Sequence, residues 1–144
     1  MQIQKIQSLT EAQLADLLHL MQELDPTIPV STEMLRRAVE APQTHVFAAM
    51  EGGRIVGTAS LCVFESPTGR KASVEDVVVD SRYRGQGLGR KLLEHVIGFA
   101  RQELADVDLH LTSRPQRVAA NALYRSLGFE LRDTNAYVMK IRTL

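Results

Sequence analysis

From Ala72 to Leu93 the chain passes without a linker through three kinds of sequence: 72-ASVEDVVVD-80, then 82-RYRGQGLG-89, then an apolar run opening at Leu88. The β-branched residues of the first segment write a strand. Gly85, Gly87 and Gly89 break it. Leu88, Leu92, Leu93, Val96, Ile97, Ala100 and Leu104 then recur on one face of a long helix. A strand that turns through a flexible loop into a helix commits the chain to an α/β domain. It also makes a site. The first turn of a helix presents unpaired N–H groups and partial positive charge. Glycines let a ligand approach the backbone, and Arg82, Arg84, Arg90 and Lys91 add full charges. The combination suits a di- or polyanion, most simply a pyrophosphate.

The spacing narrows the choice. A dinucleotide-binding fingerprint needs GxGxxG, which glycines at every second position fail to supply. A phosphate-binding Walker loop ends Gly-Lys-Ser/Thr, whereas this one reads Gly89-Arg90-Lys91.

The remaining elements read from both ends inward. Gln2 to Gln7 alternates as a short strand, and Thr10 with Gln13 forms a capping box for a helix that Pro26 ends. Ser31 caps a second helix, and 25-DPTIPV-30 is the irregular loop between the two. Strands are expected at 45–50 and 54–64, joined through Gly52-Gly53, with a turn at 65–71 leading to the valine strand. After the long helix, Val107, Leu109 and Leu111 alternate as a strand, residues 117–127 form a helix that Gly128 ends, and strands close the chain near 129–132 and 136–142. The order βααβββαβαββ describes one domain over 1–144, a mixed, mostly antiparallel central sheet flanked by helices.

Bulk properties exclude several functions. Lys+Arg and Asp+Glu are both 17, so net charge is zero and points to neither nucleic acid nor membrane surfaces. The single cysteine, Cys62, excludes an internal disulfide framework and a CxxC metal site, and reads as a small core residue. No metal is expected, since no His/Cys/Asp cluster has ligand spacing. The start lacks the basic and apolar regions of a signal peptide, and no apolar run approaches a membrane span, so a cytoplasmic protein is expected.

Arg84-Gly85-Gln86-Gly87-Leu88-Gly89 resembles the Arg/Gln-x-x-Gly-x-Gly/Ala signature of the GNAT superfamily of acyl-CoA N-acyltransferases. The flanking strand and helix agree, 121-NALYRSLGFE-130 is similar to the family's second signature, and the element order matches across essentially the whole chain. The resemblance implies acetyl-CoA as cosubstrate and a small-molecule or protein amine as acceptor. It implies that backbone N–H groups from Gly85 to Gly89 hold the pyrophosphate, with Arg84 as leading cation and Arg90 beginning the helix. It implies that Val77, Val78 and Val79 pair their backbone with the pantetheine arm, that Asn121 orients that arm, and that Tyr124 donates to the departing sulfur.

Acetyl transfer to an amine needs a neutral nucleophile, a stabilised carbonyl oxygen and a leaving group that is protonated or hydrogen-bonded. A backbone N–H near Val78 or Val79 is the expected oxyanion donor. Glu75 or Asp76 is the expected base. On a regular strand they face opposite ways, so only one reaches the acceptor unless a bulge intervenes. The pair also resembles the Glu-Asp pair of glucosamine-phosphate acetyltransferases in this superfamily. His110, sharing a strand face with Asp108 and Thr112, is a rival base, and Arg114 and Arg117 are candidates for an acidic acceptor or the coenzyme's remaining phosphate. The expected activity is N-acetyl transfer by a direct route in a ternary complex. The alternative from another class is a non-catalytic coenzyme A sensor. A homodimer through sheet edges or the C-terminal strands is compatible with either.

Overall fold

The computed structural model describes residues 1–143. The chain divides into two compact units, Met1–Thr112 and the segment from Ser113 onward.

The first unit carries β1 (Gln2–Ile6), α1 (Glu11–Leu24), α2 (Thr32–Glu40), β2 (Thr44–Glu51), β3 (Arg54–Ser66), β4 (Gly69–Val79), a 3-10 turn (Ser81–Tyr83), α3 (Leu88–Glu103) and β5 (Leu109–His110). The sheet runs β1-β2-β3-β4-β5, antiparallel except for the parallel β4–β5 pair. The mixed, mostly antiparallel sheet is therefore as expected.

Local chemistry sets the helix starts. Thr10 Oγ1 accepts from the Gln13 N–H at 3.1 Å while Gln13 Oε1 accepts from the Thr10 N–H at 3.1 Å, closing the capping box of α1. Ser31 Oγ accepts from the Met34 N–H at 3.2 Å and caps α2.

Alternation along β2 separates the two faces of the sheet. Val46, Ala48 and Met50 cluster with Leu17 and Leu20 of α1 and Val78 of β4. Phe47, between them, meets His95 and Phe99 of α3 with ring centroids 5.2 and 5.3 Å apart. Helix α1 thus covers one face and α3 the other, with Leu88, Leu92, Leu93 and Val96 buried. Each such side chain contributes about 1.5–3 kcal/mol by leaving water.

The β3–β4 arm is longer than expected, with Glu65 directly opposite Arg70 and an ion pair of 2.7 Å between them. That cross-strand pairing extends the ladder into what composition reads as turn. Strand β5 is shorter than the Val107–Leu111 pattern, because it pairs only at Ala72↔Leu109 and Ser73↔His110.

The second unit carries α4 (Val118–Ser126). Its buried side chain is Tyr124, whose ring lies edge-on to Phe129 at 6.1 Å. The strands expected at 129–132 and 136–142 are not formed among the described residues. Leu131, Tyr137, Val138, Met139 and Ile141 are between 82% and 93% exposed. Alternation gives a segment two distinct faces, but a strand exists only when a neighbour takes up its backbone donors and acceptors.

Candidate functional site

The glycine loop joins β4 to α3. Asp80 closes the strand, its N–H donating to the Val56 carbonyl at 2.9 Å. Its buried carboxylate caps the 3-10 turn through the Arg82 N–H at 2.9 Å and holds the Arg82 guanidinium at 3.1 and 2.9 Å. The Arg82 bonds hold the Asp80 carboxyl down to about 2.

Gly85 and Gly87 then take left-handed conformations, φ 81° and 77°. These are backbone states that side-chain-bearing residues avoid. Nothing lies within 4 Å of where a Cβ would stand at either, so geometry rather than crowding demands glycine and the approach to the loop is open. Gly87 is the N-cap of α3 and supplies no side-chain acceptor. The first N–H groups of α3 are thus left for an outside acceptor, beside the positive end of the helix.

The loop's cations are largely engaged within the protein. Arg82 is committed to Asp80, while Arg84 donates from Nε to the Val79 carbonyl at 3.1 Å and from Nη2 to Glu23 at 3.4 Å. Arg90 stands 3.8 Å from Glu94 one turn along α3. Leu88 is buried beneath the loop, whereas Gln86 is exposed on it.

The valine strand approaches the loop with one edge open. Thr58 pairs with Val78 and Gly57 with Val79 on the β3 side. On the other side β5 meets β4 only at Ala72 and Ser73, so within the first unit the edge from Val74 to Val79 has no ladder partner there. Val78 is buried and Val77 and Val79 are half-buried.

A bulge sits between. Thr58 faces Val78 but Ser60 faces Glu75, so β4 spends one more residue than β3 across that interval. Asp76 absorbs the irregularity with φ 53°. The alternation that separates neighbouring side chains on a strand is broken there. Partial desolvation, then the charge of Glu75, push the Asp76 carboxyl upward. Burial pushes the Cys62 thiol up, helped by Glu75 and to a smaller extent by Asp76. A half-buried thiol so shifted is a poor nucleophile. Glu75 accepts from Ser73 Oγ at 2.6 Å, and Ser73 is in register with His110 on β5. The rival bases Glu75, Asp76 and His110 therefore share one region of the sheet.

In the second unit Asn121 Nδ2 donates to the Arg114 carbonyl at 3.0 Å, tying the 113–117 turn to α4. Arg114 and Arg117 are exposed.

Sequence reasoning missed His19 and Glu23 of α1. Glu23 accepts from the Ser81 N–H at 3.0 Å and from Ser81 Oγ at 3.1 Å, and pairs with His19 at 2.9 Å. With Asp80 these residues place three ligand-type atoms within 4.8 Å of one another, a metal-compatible spacing, but Arg82 and Arg84 already bring cationic groups to the two carboxylates. No local pattern signals a contact 58 residues apart.

A strand that bulges beside an open edge, then turns through left-handed glycines into an uncapped helix, defines a class of α/β domain whose helix start presents backbone N–H groups suited to an anion. The acetyltransferase (GNAT) family model matches residues 11–129, and the chain belongs to that family. It is 34% identical over 106 residues to the protein named N-alpha-acetyltransferase RimI of Mycobacterium tuberculosis, covering 74% of this chain and 63% of that one. It is 37% identical over 109 residues to glucosamine 6-phosphate N-acetyltransferase of Trypanosoma brucei brucei, covering 69% and 73%. A solved structure from Agrobacterium tumefaciens str. C58 superposes with a TM-score of 0.83 at 26% identity, covering 97% of this chain and all of that one. Among the described residues no helix is long and apolar enough to cross a membrane.

Proposed function

We propose that the protein is an acetyl-CoA-dependent N-acetyltransferase that moves the acetyl group directly to a primary amine in a ternary complex. The observation that carries this reading is the junction of β4 and α3. Its left-handed glycines and uncapped helix start suit a pyrophosphate, and the open edge of Val77–Val79 beside it suits an amide-bearing arm. Backbone N–H groups from Gly85 to Gly89 hold the pyrophosphate. Arg84 and Arg90, the latter in the first turn of α3, supply its positive field.

The acceptor's ammonium gives up a proton to Asp76 or Glu75, directly or through water, and the neutral amine so formed attacks the thioester carbon. The C–N bond forms, the carbonyl oxygen gains charge beside a backbone N–H near Val78 or Val79, and the C–S bond breaks with the electron pair leaving on sulfur, while the surplus proton on nitrogen is lost so that amide and thiol are the products. Asp76 is the favoured base, because a raised carboxyl accepts a proton more readily. The roles of Tyr124 as donor to the sulfur and of Asn121 toward the pantetheine rest on the family's second signature. On this reading Tyr124 serves the departing sulfur by hydrogen bonding to it.

The relatives' names supply two acceptor chemistries to test, a peptide α-amine and glucosamine 6-phosphate. Self-association is part of the proposal, supported by the exposed apolar side chains between Leu131 and Ile141.

Thermal shift with acetyl-CoA, set against ATP and NAD at equal concentration, tests the cosubstrate. A ligand at about 100 times its dissociation constant stabilises by about 2.7 kcal/mol, several degrees for a domain of this size. A larger shift with ATP or NAD overturns the reading. Release of free thiol with an amine panel then separates an enzyme from a coenzyme A sensor.

A further inference from the structure

We propose that Glu23 is a positioning residue for the cosubstrate loop, holding the stem from which Gly85 and Gly87 present their N–H groups. The inference rests on the reading that this loop binds the coenzyme A pyrophosphate.

Glu23 lies in the last turn of α1, outside the strand-loop-helix unit, and only 18% of its side chain is exposed. Its Oε2 accepts from the Ser81 N–H at 3.0 Å and from Arg84 Nη2 at 3.4 Å. Its Oε1 accepts from Ser81 Oγ at 3.1 Å and pairs with His19 Nε2 at 2.9 Å. Ser81 opens the turn after Asp80, and Arg84 immediately precedes Gly85. One carboxylate therefore grips both ends of the 81–84 stem. Arg84 completes the brace through its Nε bond to the Val79 carbonyl at 3.1 Å, the last residue of β4.

Charge alone argues against a carboxylate here. An acidic group near a pyrophosphate site repels the ligand, and Arg84 would be worth more to the phosphates unpaired. Geometry explains it. Backbone donors act on an anion at no reorganisation cost only if the chain is already held in the binding conformation. A loop of alternating glycines has little stiffness of its own. Its stiffness comes from the stem, and the stem is fixed by Glu23 on one side and Asp80 on the other. The same contact joins the cosubstrate loop to the end of α1, directly before the irregular 25–30 loop.

The test is calorimetric binding of coenzyme A and of pantetheine, which lacks the pyrophosphate, to wild type, Glu23→Ala and Glu23→Gln. Loss of the charged bonds predicts about tenfold weaker coenzyme A binding for Glu23→Ala, with a smaller loss for Glu23→Gln, which keeps one acceptor oxygen. Pantetheine affinity should change less than about twofold, since it makes no use of the loop. Equal losses for both ligands would mean a general structural role and overturn the proposal. Unchanged or tighter coenzyme A binding in the variants would mean that Glu23 acts only as an unfavourable charge, and would also overturn it. Failure of the wild type to bind coenzyme A would instead remove the reading of the loop itself. If Glu23→Ala does not fold, Glu23→Gln and pantetheine carry the same comparison.

Discussion

Asp76 takes a φ of 53° directly after Glu75, at the bulge where Thr58 faces Val78 but Ser60 faces Glu75, so the regular alternation of the strand is broken between these two carboxylates. Partial desolvation and the Glu75 charge raise the Asp76 carboxyl above its ordinary value of 3.8. If Asp76 must be ionised to accept the amine proton, activity falls as pH drops through that raised value. Glu75→Gln removes the neighbouring charge, so the acidic limb of the pH–rate profile should move to lower pH. An unmoved limb would assign it to another group.

The same shift has a stability sign. The folded-state value lies above the unfolded one, so the group's favourable contribution is full below 3.8 and is lost as pH rises through the folded value. Asparagine cannot ionise and tolerates a left-handed backbone. Asp76→Asn should therefore melt at or above wild type at pH 7, with the advantage shrinking near pH 3, while activity drops. Thermal melts at the two pH values, beside an activity assay, read both effects.

At Gly87 the constraint is torsional, since a Cβ there meets nothing within 4 Å. Gly87→Ala should cost about 1–2 kcal/mol of stability, and coenzyme A affinity should fall with it. Gly87→Asn should recover most of the lost stability, because asparagine enters the left-handed region more easily. Equal melting of the alanine variant and wild type would mean that the loop relaxes without loss.

The strand, loop and helix around this glycine were legible in sequence because each has a local signature: β-branched run, alternating glycines, helical apolar spacing. The capping box at Thr10 and the alternation of β2 were equally local. Three features were not. The bulge at Asp76 depends on how two strands register, and residue types alone left open whether Glu75 and Asp76 could cooperate. The grip of Glu23 on Ser81 joins residues 58 apart, and nothing in either segment announces the other. The alternating residues after Phe129 showed a capacity for strand formation, but pairing requires a partner edge that no local pattern can guarantee.

Tyr124 separates chemistry from packing cleanly. Its ring is buried and lies edge-on to Phe129, and phenylalanine keeps that contact. Tyr124→Phe should therefore melt close to wild type and bind coenzyme A with nearly unchanged affinity. Turnover should fall by about a hundredfold if the hydroxyl serves the departing sulfur. A collapse of coenzyme binding in the variant would assign the hydroxyl a structural role.

His45 gives the fold an acid-sensitive point remote from the loop. Its ring lies 4.7 Å from that of Phe99, and its Nδ1 is buried without a hydrogen-bond partner among the described residues. Burial, and then the charge of Lys5, lower its value below the ordinary 6.5. A group depressed on folding contributes stability that is full above 6.5 and is lost as pH falls through the folded value, because the unfolded chain takes up the proton first. His45→Phe preserves an aromatic contact with Phe99 and removes the titration. Its melting temperature should decline less than that of wild type between pH 7 and pH 5. Parallel declines would show that the ring accepts a proton in the folded protein without penalty; the Asp80 carboxyl, held down to about 2, loses its contribution only well below pH 5 and would not account for them.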